Sequence, residues 1–592
     1  MSEAPVDPST IISHSHSSTS DYSESLFLRT LPNNALLASF QFRTNGTIDS
    51  SHMSLFPQSL NQVLKASHTK ELHLKFTLGR WKAREYGPEP WEGRTAGGTG
   101  VELWAWVDAE DDAQAEQRWK TLTNALSGLF CASLNFIDST RTIRPILTFH
   151  PTGTHDPTSN LHLLHGSLPR EPVCTENLTP FLKLLPCKGK VGVSSLLDGH
   201  KLFDAAWQAM SIDVRPLCDS DGTNCKLQME QTVDMVIDVE RSLLKQNGPI
   251  PKPKERHQLV CDGSKEYLTT DDACLPLDNV KDQQFTLTDV FGRGIRGSCP
   301  LDEMENGEAR EQVCLNVPEQ RGVYLSEGYQ EQKLSKSLRC YALKENQDFD
   351  LILTEQSPSI KLPSTEPLLY AERSFTGHGQ ERGGVQAVLR NPSLTSPVNF
   401  VYLESLPWFM KPYLHTLRAN LDKPAPTNSS SSPILETHYR PFLDRKRGTQ
   451  LEIALQVPAN TTLTLTYEFD KAILRYTEYP PDANRGFDIA PAIIAILPPS
   501  SLSDGALGAT QQPTYLRTTS LLLPLPTPDF SMPYNVIILT STVMALAFGS
   551  ILNLLIRRFV GADEVPGVGS GLKEKVRGKL RRLGLGGKKK EE

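Results

Sequence analysis

The chain has no cysteine before Cys131 or after Cys340, no excess of basic charge, and no apolar leader at its start. Each absence excludes something. A formal net charge of −7 leaves no footprint for nucleic acid. There is no G-x-S-x-G elbow and no recognisable Cys/His context, so catalysis by this chain alone is not expected, and nothing implies a cofactor. Residues 1–20 are polar and rich in Ser, His and Pro. They read as a disordered N-terminus without a signal peptide, which leaves the secretory signal to be sought outside this sequence. No internal repeat is present.

Charge is missing once more, and here the absence is positive evidence. From Asn535 to Ile556 no side chain is charged. A helix over that run is roughly 33 Å long, close to the thickness of the bilayer hydrocarbon. Eleven Lys or Arg and five acidic residues follow Ile556, whereas Arg517 is the only basic residue between Gly505 and the run. The positive-inside rule then predicts a single-pass type I protein, with residues 557–592 a basic cytosolic tail and the rest across the membrane. The ten cysteines and four N-x-S/T sequons, Asn45, Asn177, Asn428 and Asn460, all fall on the predicted lumenal side, where oxidation and N-glycosylation occur. Lys589 and Lys590, fourth and third from the end, have the placement of a di-lysine signal for retrieval to the endoplasmic reticulum.

The rest of the chain reads as mainly β with some α, a β-sandwich-like ectodomain. Leu36–Phe42, Glu71–Trp81 and Val101–Val107 alternate apolar and polar residues, as half-buried strands do. Asp111–Phe130 predicts a helix with Trp119, Leu122 and Leu126 on one stripe, and Leu55–Ala66 a shorter one. These features place a first β-rich domain at 21–244. A Pro- and Lys-rich linker is expected at 245–257, and a second β-rich domain at 258–475 with strands at Phe285–Phe291, Leu338–Leu343, Val398–Pro407 and within Gln450–Leu474. Residues 422–432 read as an exposed loop, and 476–534 as a Pro-rich connector to the span at 535–556.

Two motifs have plainer readings than their chemistry suggests. Gly292, Gly294 and Gly297 spell G-x-G-x-x-G, but Ser298-Cys299-Pro300 follows in place of the helix that a dinucleotide pyrophosphate requires. His150, His155, His162 and His165 cluster within sixteen residues, but the stretch is Pro/Thr/Gly-rich and reads as a loop rather than the single scaffold a tight zinc site needs, so no metal is expected. The cysteines read as bridges: Cys218 with Cys225, Cys261 with Cys274 and Cys299 with Cys314 enclose loops, leaving Cys131, Cys174, Cys187 and Cys340 unassigned.

Longer strings carry a resemblance. Asp21–Phe42, His52–Leu60, Glu71–Gly87, Val173–Leu197, Phe285–Arg293 and His438–Arg447 are similar, in order, to blocks of the PIG-T family. The resemblance implies a non-catalytic subunit of GPI transamidase in the endoplasmic reticulum. That complex cleaves a C-terminal signal from a precursor protein and joins the new carboxyl end to a GPI lipid. Its nucleophile is a cysteine of the protease-like PIG-K subunit. The resemblance further implies that this chain stabilises PIG-K and is bound to it by an intermolecular disulfide, carried to Cys187 by position in the matched block, with Cys174 as second choice. Other membrane subunits, the GPI lipid and the precursor tail are the remaining partners. A lumenal glycan-acting enzyme anchored by one helix is the alternative.

Overall fold

The computed structural model describes residues 21–47, 55–156, 159–218, 225–243, 283–301, 311–355, 366–377, 379–423, 432–480, 482–498, 512–527, 531–557 and 574–579. The linker expected at 245–257, most of the loop expected at 422–432, and the segment 1–20 expected to be disordered fall outside them.

The first half is built on an antiparallel array of β1 (Tyr22–Leu31), β2 (Ala35–Thr47), β3 (Thr69–Gly79), β4 (Gly100–Asp108), β5 (Thr142–Ile143), β6 (Leu161–Leu168), β7 (Trp207–Cys218) and β8 (Cys225–Asp238). In space these run β1-β2-β8-β7-β3-β4-β6-β5. Strands Glu311–Asn316, Leu338–Ala342 and Gln332–Lys333 extend the β1 edge to make an 11-stranded sheet, with Glu311–Asn316 parallel to β1. The boundary expected at 245–257 therefore does not separate two sheets. Chain from beyond it returns to complete the first one, because β1 would otherwise be an unpaired edge.

Period-2 alternation sends Leu72, Leu74 and Phe76 of β3, and Val101, Leu103, Ala105 and Val107 of β4, to one apolar face. Helices Gln58–Ala66, Asp112–Phe130 and Thr175–Leu184 cover that face. The longest of them starts where the Asp111 carboxylate accepts the Gln114 N–H at 2.7 Å, and stops at Cys131 in the left-handed region (φ 52°). Ala115, Trp119, Leu122, Leu126 and Phe130 form its buried stripe, as the sequence pattern predicts.

The second half is a sandwich. Tyr370–Thr376, Arg382–Arg390, Thr462–Lys471 and Met410–Leu421 form one sheet in that order. Ile434–Arg440, Thr449–Val457, Val398–Leu406, Ile493–Ile496 and Thr514–Arg517 form the other. Leu389, Leu465, Phe400, Ile453 and Ile494 meet between them. Two expectations need correction here. Phe285–Phe291 is a two-residue strand followed by the helix Leu287–Phe291, whose start is fixed by the Thr286 hydroxyl accepting the Asp289 N–H at 2.9 Å. Residues 476–534 are not simply a connector, since Ile493–Ile496 and Thr514–Arg517 close the second sheet of the sandwich.

Both halves belong to one compact unit that ends at Pro526. The remainder contains the helix Ser531–Ile556, whose segment Tyr534–Ile556 is long and apolar enough to cross a membrane.

Candidate functional site

The alternation that sends apolar residues of β3, β4 and β7 toward the helices sends Glu71, His73, Lys75, Glu102, Trp104 and Asp213 to the opposite face of the sheet. A solvated face would be the ordinary outcome for such residues. Here Glu71 is 0%, Lys75 1% and Glu102 2% exposed, because the loop 80–99, the segment 144–156 and the sandwich cover them. A buried charged face needs partners, and the carboxylates Glu71, Glu102 and Asp213 find them.

His73 lies between two carboxylates, with Nδ1 2.6 Å from Asp213 and Nε2 2.8 Å from Glu71, and its ring stacks on Trp104 at 4.8 Å. Burial alone would lower its pKa, but the hydrogen bonds and charges of Asp213 and Glu71 prevail and raise it. Glu71 accepts further bonds from the Thr152 N–H (2.8 Å), the Gly153 N–H (3.0 Å) and His155 Nε2 (2.6 Å). Against the burial that would raise it, those bonds hold its carboxyl far below the usual range. Lys75 sits 4.1 Å above the Trp104 ring and donates to the Arg94 carbonyl. Burial, with Arg517 nearby, pushes it down to about 7. Next to them, Gln41, Arg43, Trp91, Arg94, His150 and Tyr515 line a cleft of about 120 Å³.

The same groups tie the halves together. Arg517 of the sandwich donates to Glu102 of β4 from Nη2 at 2.9 Å and from Nε at 3.2 Å. Glu452 accepts the N–H groups of Ile146 (2.8 Å), Leu147 (2.7 Å) and Thr148 (3.0 Å), so one carboxylate anchors a whole turn of the first half. Phe149 and Tyr515 stack at 5.5 Å across the seam. Glu71, Glu102 and Asp213 are each held by a cation or a histidine. None of the three is free to act as a general acid or base toward an outside molecule.

Three of the four clustered histidines come to this face, His150 as part of the cleft beside it. His155 and His165 reach it, whereas His162 bonds the Ala109 carbonyl at 3.2 Å. Among the described residues no group of three metal-ligating side chains forms. Gly292, at φ 81°, caps the short helix Leu287–Phe291, so the glycine motif follows a helix rather than opening one.

Cysteine pairing needs a second correction. Cys218–Cys225 joins as expected, across the end of the β7–β8 hairpin. Cys299 is bonded to Cys187, and Cys314 to Cys340, which lies directly opposite it on the neighbouring antiparallel strand with Cα atoms 4.1 Å apart. With its sulfur bonded to Cys299, Cys187 has no thiol for a partner chain. Cys261 and Cys274 lie outside the described residues.

Among the described residues two cysteines are free: Cys131, exposed, and Cys174, half-buried. They occupy the facing ends of Asp112–Phe130 and Thr175–Leu184, and Asn177 spans the gap. Its Oδ1 accepts the Cys174 N–H at 2.9 Å, and its Nδ2 donates to the carbonyls of Phe130 (2.9 Å) and Cys131 (3.4 Å). Asn177, 1% exposed, is thus built into the fold. Asn460 is exposed in a left-handed turn (φ 51°), and Asn45 is half-buried with its Oδ1 accepting Gln228 Nε2 at 3.1 Å. Asn428, Lys589 and Lys590 lie outside the described residues.

Comparisons with known proteins bear on what such a body does. A family model described as "Gpi16 subunit, GPI transamidase component" matches residues 9–581. The budding-yeast "GPI transamidase component GPI16" is 40% identical over 96% of this chain and 94% of its own length. A fission-yeast "GPI transamidase component PIG-T homolog" is 35% identical over 94% of each chain. The human "GPI-anchor transamidase component PIGT" is 33% identical over 90% of each. Among solved structures, a Vibrio harveyi GH20 exo-β-N-acetylglucosaminidase overlaps 27% of this chain and 19% of its own at a TM-score of 0.15 and 10% identity, a likeness too slight to bear on fold or activity. A match that runs through nearly the whole chain, in sequences a third or more identical, places this protein in the Gpi16 family of GPI transamidase components.

Proposed function

We propose that this chain is a non-catalytic subunit of GPI transamidase, anchored in the endoplasmic reticulum membrane by Ser531–Ile556 with its β body in the lumen. There it stabilises the protease-like PIG-K subunit and holds enzyme, precursor tail and GPI lipid at one membrane depth. The observation that carries this reading is the extent of the family match, from residue 9 through the apolar helix to 581. The internal pairing of the buried face supports it further: that chemistry fixes two β halves in one shape. A rigid scaffold of this kind accelerates acyl transfer by raising effective concentration rather than by acid–base work.

We propose Cys174 for the covalent tie to PIG-K, because it lies in the same block of sequence as Cys187 and its thiol, half-buried at a helix start, is free. The function is tested by expressing the full chain, behind a secretory signal, in budding yeast depleted of the relative named above. Restored processing of GPI-anchored precursors supports the reading. If the chain reaches the membrane, brings down no transamidase subunit and leaves precursors uncleaved, the reading is wrong.

A further inference from the structure

One end of the sandwich gathers the turns that follow the strand Thr462–Lys471. The Ala472 N–H donates at 2.8 Å to the carbonyl of Phe409, in the turn between Val398–Leu406 and Met410–Leu421. The loop Leu443–Arg447 closes on itself, with the Leu443 N–H 2.9 Å from the Arg447 carbonyl. Its Arg445 lies 4.6 Å from the centre of the Trp408 ring and donates to Glu478 at 2.6 Å, so this loop and the segment 471–479 stand side by side. The chain leaves the body at the same place. Leu523 and Leu525 share a buried cluster with Trp408, Phe409 and Leu474, and the Tyr479 hydroxyl donates to the Pro526 carbonyl.

Three large apolar side chains face solvent on this end: Leu443 at 48%, Ile473 at 81% and Tyr476 at 43% exposed. Ile473 is turned out between Ala472 and Leu474, which pack inward. The neighbouring acids are already paired, Asp444 with Lys411 at 3.2 Å and Glu478 with Arg445 at 2.6 Å. Lys446 and Arg475 are exposed, and neither enters a salt bridge among the described residues. Exposed apolar residues scattered singly mean little. Aliphatic and tyrosine side chains beside uncompensated cations are, however, the composition that a membrane interface takes.

Position in the chain selects the lipid surface as the occupant. Only residues 527–530 separate Pro526 from the apolar helix that begins at Ser531, a tether of at most about 18 Å. Leu394 makes the contrast. It is 78% exposed, but its neighbours Asn391 and Ser393 bond Thr461 and Asn460, at the other end of Thr462–Lys471 and about 30 Å away along that strand.

We propose that Leu443, Ile473 and Tyr476 rest in the lumenal lipid surface, the aliphatic side chains among the upper acyl carbons and the tyrosine at headgroup depth, with Lys446 and Arg475 against lipid phosphates. The inference rests on Ser531–Ile556 crossing the membrane, as proposed above. A single span leaves the body free to turn on its tether, whereas this footing fixes which end of the sandwich meets the bilayer.

The test uses the full chain in endoplasmic reticulum microsomes, with phosphatidylcholine that carries a photoreactive diazirine near the headgroup end of one acyl chain. After irradiation, lipid adducts are mapped on peptides by mass spectrometry. Adducts are expected in the apolar helix and also at 442–447 and 471–479, with none at 391–396. Ile473→Glu together with Tyr476→Glu should lower the yield on those two segments about tenfold, roughly the loss of one buried apolar side chain, while the helix stays labelled. Leu394→Glu, at an equally exposed site on the far end, should change nothing. All three are surface substitutions, and the melting temperature should hold. A labelled helix with 442–447 and 471–479 unlabelled would mean that this end stands off the bilayer or is covered by another subunit, and overturns the proposal. Equal labelling at 391–396, or an undiminished yield in the double variant, overturns it as well. An unlabelled helix would overturn the membrane anchor and the proposal with it, a result distinct from the others.

Discussion

Glu102 and Arg517, 415 positions apart in sequence, form a two-pronged ion pair whose side chains are 3% and 4% exposed. One belongs to β4 of the large sheet, the other to the last strand of the sandwich. Glu102 also accepts the Gly98 N–H at 2.9 Å, so the pair fixes the loop 80–99 as well. Removing the cation strands a buried carboxylate. Arg517→Met should therefore destabilise the β body by about 3–5 kcal/mol, while Arg517→Met with Glu102→Gln should recover a large part of that loss. Denaturant unfolding of the four chains of this cycle measures the coupling, and additive losses would show that the pair does not join the halves.

The contributions of Glu89 and Lys75 to stability, taken together, should pass through a shallow minimum near pH 7. Glu89 has its pKa raised from 4.5 to about 7 by burial, so between those values the folded chain holds a proton that the unfolded chain has released, and stability falls as pH rises. Lys75 is lowered from 10.5 to about 7, also by burial first, so above pH 7 the unfolded chain holds the extra proton and stability rises again. Glu89→Gln should remove the acid limb, gaining ~1–2 kcal/mol at pH 8 relative to pH 5. Melting curves across pH 5–10 test it, and an unchanged acid limb in the variant would contradict the assignment.

The Cys187–Cys299 bond closes a loop with a sequence separation of 112. Cys187→Ser should lower ectodomain stability by ~2–5 kcal/mol, as loss of a long native loop closure does. It should also expose a Cys299 thiol to alkylation after unfolding. Mass spectrometry of alkylated peptides reads this directly, and a free Cys299 in the parent chain would refute the pairing.

Asn177→Gln should leave the glycan-dependent mobility of the chain unchanged, because that side chain lies in the wall between two helix ends. Asn177→Ala should cost about 1–3 kcal/mol, since the Cys174 N–H and Phe130 carbonyl lose their partner. Asn460, exposed in its turn, has room for a glycan among the described sequons, and Asn460→Gln should increase mobility by one glycan step. A mobility shift in Asn177→Gln would overturn the distinction.

Much of this architecture is legible in the sequence where periodicity is long. The strands around Leu36–Phe42, Glu71–Trp81 and Val101–Val107, the stripe Trp119, Leu122 and Leu126, and the uncharged run ending at Ile556 all announce themselves. The buried polar face does not. Glu71, His73 and Lys75 alternate with Leu72, Leu74 and Phe76 as they would on a solvated strand, and only the distant sandwich turns that face into an interface. Ile493–Ile496 and Thr514–Arg517 are too short for any period to show, and the prolines around them suggest a connector. Disulfide pairing is likewise a matter of register: Cys314 meets Cys340 because their strands align, which spacing in the chain does not reveal.

The central claim, a scaffold subunit tied to the transamidase nucleophile subunit, is tested most directly by recovering the tagged full chain from endoplasmic reticulum membranes. Non-reducing electrophoresis would compare the parent with Cys174→Ser and Cys187→Ser. The account predicts a reducible larger species containing the PIG-K partner, lost in Cys174→Ser and retained in Cys187→Ser, with the other subunits co-purifying in all three. A bridge lost only in Cys187→Ser would contradict the cysteine assignment. Recovery of the chain with no transamidase subunit, reduced or not, would contradict the account itself.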